Sequence, residues 1–283
     1  MSPSSVAVVA PGNMGAAVGR RLVDHGLRVL TTLSGRSPAS EARASAAGMQ
    51  AVSFERLAEA DLILSIVPPA VALPFARQMA PVLEAVGRKP LFVDCNAVSP
   101  DTVLQIARVV EATGAPFIDA GIIGPPPQQG AEPSIYASGP HARQLTVLNE
   151  HGLDIRVLDG PVGAASALKM CFAGITKGFT AVATAMTLAA VKAGATNELH
   201  QELAAREPAL LAALARKVPD MMPKAYRWVA EMQEIASFIA ADGAGDIYTG
   251  ASNVYERIAR AISVSGPEIN SLREFYAAAA TRP

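Results

Sequence analysis

The chain has 283 residues, of which 51% are hydrophobic and 17% charged, with a net charge of −1. That length suits one large or two ordinary domains with a sizeable core. The even charge balance, with no basic stripe, argues against nucleic acid as a partner.

Residues 6–9 form a short apolar run that ends at the turn Ala10-Pro11-Gly12-Asn13-Met14-Gly15. A helical pattern follows over 14–24, and Gly26 stops it as a C-terminal glycine does. Residues 28–33 read as a second strand and 62–67 as a third, which stops at Pro68-Pro69. A fourth covers 91–94 and a fifth 116–119, with helical stretches such as 70–86 and 100–113 between them. Residues 134–138 and 155–158 can add two more strands. Strands alternating with helices predict a doubly wound parallel sheet. From Gly163 onward the pattern changes to Ala, Leu and Met at helical spacing, with no strand. The expected architecture is therefore α/β, a Rossmann-type domain over 1–161 followed by an all-helical domain over 162–283.

The glycine turn follows a strand and opens a helix, which is the context a dinucleotide pyrophosphate requires. Gly12 leaves the backbone bare where phosphates approach, and Gly15 lets the helix pack on the strand. Ala10 stands at the usual first glycine. Gly12, Asn13 and Met14 are thus candidate cofactor contacts, as are Val67 and Pro68 where the third strand stops. NAD sites commonly carry an acid after the second strand, for the ribose hydroxyls. Here that stretch is Thr31-Thr32-Leu33-Ser34-Gly35-Arg36-Ser37, without an acid. Arg36 can pair with a 2′-phosphate, and Ser34 and Ser37 can donate to it, so NADP(H) is expected over NAD(H).

Four segments carry a family resemblance: Gly12-Asn13-Met14-Gly15, Val93-Asp94-Cys95-Asn96-Ala97-Val98-Ser99-Pro100, Phe117-Ile118-Asp119-Ala120-Gly121-Ile122-Ile123-Gly124, and Gly163-Ala164-Ala165-Ser166-Ala167-Leu168-Lys169. In these the chain resembles the beta-hydroxyacid dehydrogenases, which include 6-phosphogluconate and 3-hydroxyisobutyrate dehydrogenases. Its wording is similar to a branch with a short helical C-terminal domain. The resemblance implies a long interdomain helix, a helical domain that dimerises, and reversible oxidation of a 3-hydroxy acid. It places Asn96 near the nicotinamide and substrate, and Ile122, Ile123 and Gly124 in a substrate-binding loop. It makes Lys169 the catalytic lysine.

Chemistry agrees with that last assignment. Hydride transfer to a carbonyl leaves negative charge on oxygen, and a positioned acid must deliver a proton there. An ammonium in the apolar stretch Ala167-Leu168-Lys169-Met170-Cys171-Phe172 is costly unless it has a purpose or a partner. Lys177, eight residues on, is a second candidate for a substrate anion, and Glu234 is a late acid in an apolar helix. Two departures stand out. The family usually has serine where this chain has Ile123, and asparagine where it has Ala173. The remaining polar groups in these segments are Asn96, Ser166, Gln128 and Gln129. A more apolar pocket is expected. An imine reductase, which usually carries Asp or Tyr near the lysine position, and a non-catalytic NADP(H)-binding protein are the competing readings.

The other expectations concern partners and place. The cysteines Cys95 and Cys171 form no metal or disulfide pattern, and suggest a reducing cytoplasm. His25, His141, His151 and His200 stand singly, so no metal is expected. The start of the chain lacks a signal-peptide pattern. The apolar run 178–191, bounded by Lys177 and Lys192, is short for a bilayer and reads as a buried helix. The apolar helical half predicts a homodimer through residues beyond about 195.

Overall fold

The structure, a computed structural model, describes residues 3–128, 132–264 and 266–280. Gln129 lies outside them. The chain divides into two compact units, 1–170 and 171–283.

The first unit is built on an eight-stranded sheet of order β3-β2-β1-β4-β5-β6-β7-β8. Its strands are β1 (Ser5–Val9), β2 (Arg28–Thr31), β3 (Gln50–Ala51), β4 (Leu62–Ser65), β5 (Leu91–Asp94), β6 (Phe117–Ile123), β7 (Ser134–Ser138) and β8 (Asp154–Val157). Strands β1, β4 and β5 are buried along their whole length. Strands covered on both faces read as unbroken apolar runs, which is how they show in the sequence. One pair departs from the expected parallel sheet: β6 and β7 are antiparallel, with Gly121 opposite Tyr136. The loop joining them is too short for a crossover helix, so the chain can only double back.

Helices cover both faces. On one, α1 (Asn13–Asp24) and α2 (Pro38–Ala46) pack with Val6, Val8 and Val29. On the other, α3 (Pro69–Ala85) and α4 (Pro100–Glu111) pack with Ala7, Val9, Ile63 and Phe92. The order reverses between β1 and β4, which opens a crevice at their carboxyl ends, the place where doubly wound sheets bind ligands. β6 runs to Ile123, four residues past the stretch legible as a strand, so Ile122 and Ile123 are strand residues and the loop begins at Gly124.

Helix α5 (Ala164–Ala173) starts within the first unit. That unit extends past residue 161 because the beginning of α5 is hydrogen-bonded to β6. The helix continues through a π turn, Gly174–Gly178, into α6 (Phe179–Ala193). Its 30 residues are long and apolar enough, by length and composition, to cross a bilayer. The apolar run 178–191 understates that length because Lys177 interrupts it, so the argument from shortness does not hold. One face packs within the second unit: Thr180, Thr184 and Thr187 are buried, and Thr187 Oγ1 lies 2.9 Å from the Tyr276 hydroxyl.

The second unit is helical throughout its described residues. It adds α7 (Thr196–Arg206), α8 (Pro208–Met221), α9 (Ala225–Phe238), α10 (Gly245–Ser263) and α11 (Pro267–Ala280). Its buried residues include Leu214, Val218, Met232, Ile235, Tyr255, Ile258, Leu272 and Tyr276, spaced on the helices as amphipathic faces.

Candidate active site

The turn after β1 delivers the first part of the site. Gly12 caps α1 without a side-chain hydrogen bond, and no acid stands in the first helical turn. The Gly12 amide donates to the Ala10 carbonyl at 2.8 Å, and the first amides of α1 beyond it are left for an anion. A Cβ at Gly12 would meet no protein atom within 4 Å, so nothing in the fold requires its absence; the open space lies at the helix N-terminus. Gly15 is different, since a Cβ there would collide with the Ala10 carbonyl oxygen. Asn13 is exposed and Met14 half-buried. Across the crevice the Ala10 amide donates to the Ile66 carbonyl at 3.1 Å, which sets this turn beside Val67 and Pro68. Val67 is buried and Pro68 exposed.

After β2, Ser34 is exposed and Arg36 half-buried, with Arg36 Nε and Thr32 Oγ1 buried and unpartnered. Ser37 caps α2, its Oγ accepting from the Ser40 amide at 3.3 Å. Sequence reasoning missed Arg43. Its Nε donates to the Pro11 carbonyl at 3.2 Å and its Nη2 to Ser40 Oγ at 2.9 Å, which brings a second guanidinium to the glycine turn. Arg43 thus reaches the dinucleotide turn itself, while Arg36, Ser34 and Ser37 lie on the loop after β2.

Asn96 is buried at the end of β5, and its amide is spent on protein partners. Oδ1 accepts from the Val67 amide at 2.6 Å, and Nδ2 donates to Ser65 Oγ at 2.9 Å and to Asp94 at 2.7 Å. The side chain braces the Val67–Pro68 turn from behind. Burial lifts the Asp94 carboxyl from 3.8 to about 7; the Asn96 donors oppose the rise and the neighbouring Asp119 adds to it. Burial also pushes the Cys95 thiol well up, which makes it inert.

Ile122 is packed in the core with Ile135, while Ile123 is half-buried. Gly124 has φ +127° and a Cβ there would meet Pro133 Cα at 2.9 Å, so only glycine fits. Lys169 is half-buried on α5. A Cβ built on Gly121 would lie 3.1 Å from Lys169 Cβ and 2.8 Å from the Ala165 carbonyl oxygen. The missing side chain lets α5 rest directly on β6, with Lys169 over the strand that ends at Ile123. Ser166 is buried, its hydroxyl given to Asp119 at 2.7 Å. Ala173 is buried and Gln128 exposed.

The structure gathers the glycine turn, the Val67–Pro68 turn, the β2 loop, Asn96, Gly124 and Lys169 on the first unit, at the carboxyl ends of β1, β2, β4, β5 and β6. Lys177 belongs to the second unit, where it pairs with Glu231 and lies 4.7 Å from the centre of the Trp228 ring. The buried acid of α9 is Glu231; Glu234, one turn on, is half-buried. Tyr255 donates to the Lys177 carbonyl. Among the described residues no group of three or more His, Cys, Asp and Glu side chains could hold a metal.

Residues 5–150 match the family of the NAD binding domain of 6-phosphogluconate dehydrogenase. Residues 190–258 match a family described as a domain of unknown function, DUF1932. An uncharacterised 28.5 kDa protein of Methanothermus fervidus is 28% identical over 216 residues, covering 75% of this chain and 82% of that one. A solved protein of unknown function, described as structurally similar to 3-hydroxyacid dehydrogenases, shares 28% identity at a TM-score of 0.68, over 92% of this chain and 98% of its own. A 3-hydroxyisobutyrate dehydrogenase of Mycobacterium tuberculosis superposes with a TM-score of 0.69 at 22% identity, over 95% of this chain and 99% of its own, a likeness of fold alone.

Proposed function

The chain belongs to the family of the NAD binding domain of 6-phosphogluconate dehydrogenase, and from that premise we propose that it is an NADP(H)-dependent oxidoreductase in which Lys169 is the general acid and base. The observation that carries this is the seating of Lys169 on Gly121, at the same edge of the sheet as the dinucleotide turn. The bound nicotinamide would supply or accept the hydride. Lys169 would give a proton to the carbonyl oxygen in reduction and take it from the hydroxyl in oxidation. The amides at the start of α1, beyond Gly12, would hold the pyrophosphate. Arg36, Arg43 and Ser34 would hold the 2′-phosphate, which gives the orphaned Arg36 Nε an acceptor and favours NADP(H) over NAD(H). Val67 and Pro68, braced by Asn96, would bound the cofactor crevice.

The substrate is proposed as a hydroxy acid or the matching carbonyl compound, more apolar than the small acids of the relatives. Ile123 and Ala173 offer no side-chain hydrogen bond, and Gly124 offers only backbone. The test is NADPH oxidation with a panel of beta-keto acids graded by chain length, with cyclic imines as the contrast. Turnover of keto acids that disappears in Lys169→Ala, with NADPH binding unchanged, is expected. Turnover that survives Lys169→Ala sinks the mechanism, and reduction of imines alone sinks the substrate class.

A homodimer is part of the same proposal, through a surface different from the one expected beyond residue 195. Phe172, Ile175, Phe179, Val182 and Met186 are 45–73% exposed and spaced three and four residues apart along the π turn and α6 and the end of α5. That spacing is a seam for a second helix, and a second copy supplies a matching one. Light scattering that gives the monomer mass refutes it. The cytoplasm is proposed on cysteine usage: Cys95 and Cys171 are both unpaired.

A further inference from the structure

We propose that Asp119 is the positioning residue of the proton-transfer site, fixing the first turn of α5 and through it the place of Lys169. The proposal rests on the reading of Lys169 given above.

Helix α5 has no capping side chain of its own. The residue before it is Gly163, at φ +104°. Its first amides would be orphaned in a buried place, which a helix end does not tolerate. Asp119, more than 40 residues away in the chain and fully buried on β6, accepts them. Its Oδ2 receives the amides of Gly163 at 2.8 Å, Ala165 at 3.1 Å and Ser166 at 3.1 Å. Oδ1 receives the Ser166 hydroxyl at 2.7 Å. Ser138 on β7 donates to Oδ2 at 2.9 Å and accepts the Ala165 amide at 3.0 Å.

This arrangement does more than end a helix. A cap from the helix's own first residue satisfies the amides but leaves the helix free to turn and slide on its neighbours. Three amides converging on one oxygen of another element remove both freedoms. Two residues along the same face of β6, Gly121 sets how closely the helix lies. Asp119 therefore fixes rotation, and Gly121 fixes height. Lys169 follows Ser166 by three residues, less than one turn, so it inherits that setting directly. A one-residue slip in the first turn would swing it by about 100°. Both carboxyl oxygens of Asp119 are engaged, so it works through Lys169 and not on substrate.

The test uses the full chain carrying Asp119→Asn, Ser138→Ala or Ser166→Ala. Asparagine would turn an amide donor or a single acceptor toward the converging N–H groups. The readout is the pH profile of Lys169 acetylation by acetic anhydride, measured by peptide mass spectrometry, with the exposed Lys192 and Lys217 as internal references. In folded Asp119→Asn the Lys169 rate should change at least about threefold relative to both references, while NADPH binding stays the same. Ser166→Ala and Ser138→Ala should move it in the same direction by less, and they decide the matter if Asp119→Asn does not fold. A Lys169 profile identical to the parent in every folded variant overturns the proposal. Loss of the catalytic reading would appear separately, as turnover surviving Lys169→Ala, and would leave the labelling result standing.

Discussion

The two units bury polar groups for opposite ends. In the first, Ser65, Asp94, Asn96, Asp119, Ser138 and Ser166 are all buried near the carboxyl edge of the sheet, and apart from the local Asn96–Asp94 bond their bonds join neighbouring strand segments or strand to helix. In the second, Thr180 and Thr184 bond back to carbonyls of their own helix, and the Lys177–Glu231 pair and Tyr255 tie the π turn to α9 and α10. One network ties strands to the start of α5, where the proposed site lies; the other holds helices together. The surfaces differ in the same sense, since the second unit carries the exposed apolar seam. On the proposed reading, the polar interior serves chemistry and the apolar exterior assembly, so either kind of surface can mark function.

Each arm of that comparison can be broken. The largest effect is expected from Lys169→Ala, a loss of roughly 10²–10⁴ in turnover with NADPH affinity kept, read by steady-state kinetics and fluorescence titration. Next comes Asp119→Asn, which leaves several buried donors without a matched acceptor and should cost about 3 kcal/mol or more in a urea melt. If it costs nothing, the buried network does not organise the first unit. The seam is tested by Ile175→Asp or Met186→Asp. A charge taken into an apolar interface should weaken association by on the order of 3 kcal/mol, seen as a shift to monomer by light scattering. Removal of Arg36 or Arg43 is smaller: roughly tenfold weaker NADPH binding, with NADH binding unchanged.

A separate effect, read as a pH dependence, belongs to Asp94. Its value rises on folding from 3.8 to about 7, so the folded protein holds a proton that the unfolded chain has released. The stabilisation is complete below pH 4 and is lost as pH rises through 7. The slope is at most about 1.4 kcal/mol per pH unit. Melting temperature should therefore fall between pH 5 and 7.5, and Asp94→Asn should flatten that dependence.

Much of this was legible in the sequence. The glycine turn, the strands at 91–94 and 134–138, and the change to helices after Gly163 follow from periodicity and turn chemistry. Helix α2 was missed although Ser37-Pro38 is a capping serine followed by a proline at the first helical position, the signal for a helix start. Strand β6 was cut short because Asp119 breaks its apolar run, and that break was the mark of a buried acceptor. Arg43 could not be read at all: its tie to Pro11 joins residues 32 apart, and no local pattern encodes it. Asn96 is singled out by the family resemblance, but its brace on Val67 appears only when β4 and β5 lie side by side.

Gly121 has a consequence for how this protein can vary. The atoms that crowd it are the backbone oxygen of Ala165 and the first carbon of the Lys169 side chain. Neither can be moved by choosing another rotamer. Gly121→Ala would therefore have no local suppressor: no second substitution trims a carbonyl group. The whole helix would have to be reseated, and the lysine with it. Such a position works like a hard stop in a fixture: it holds the platform under Lys169 at one height.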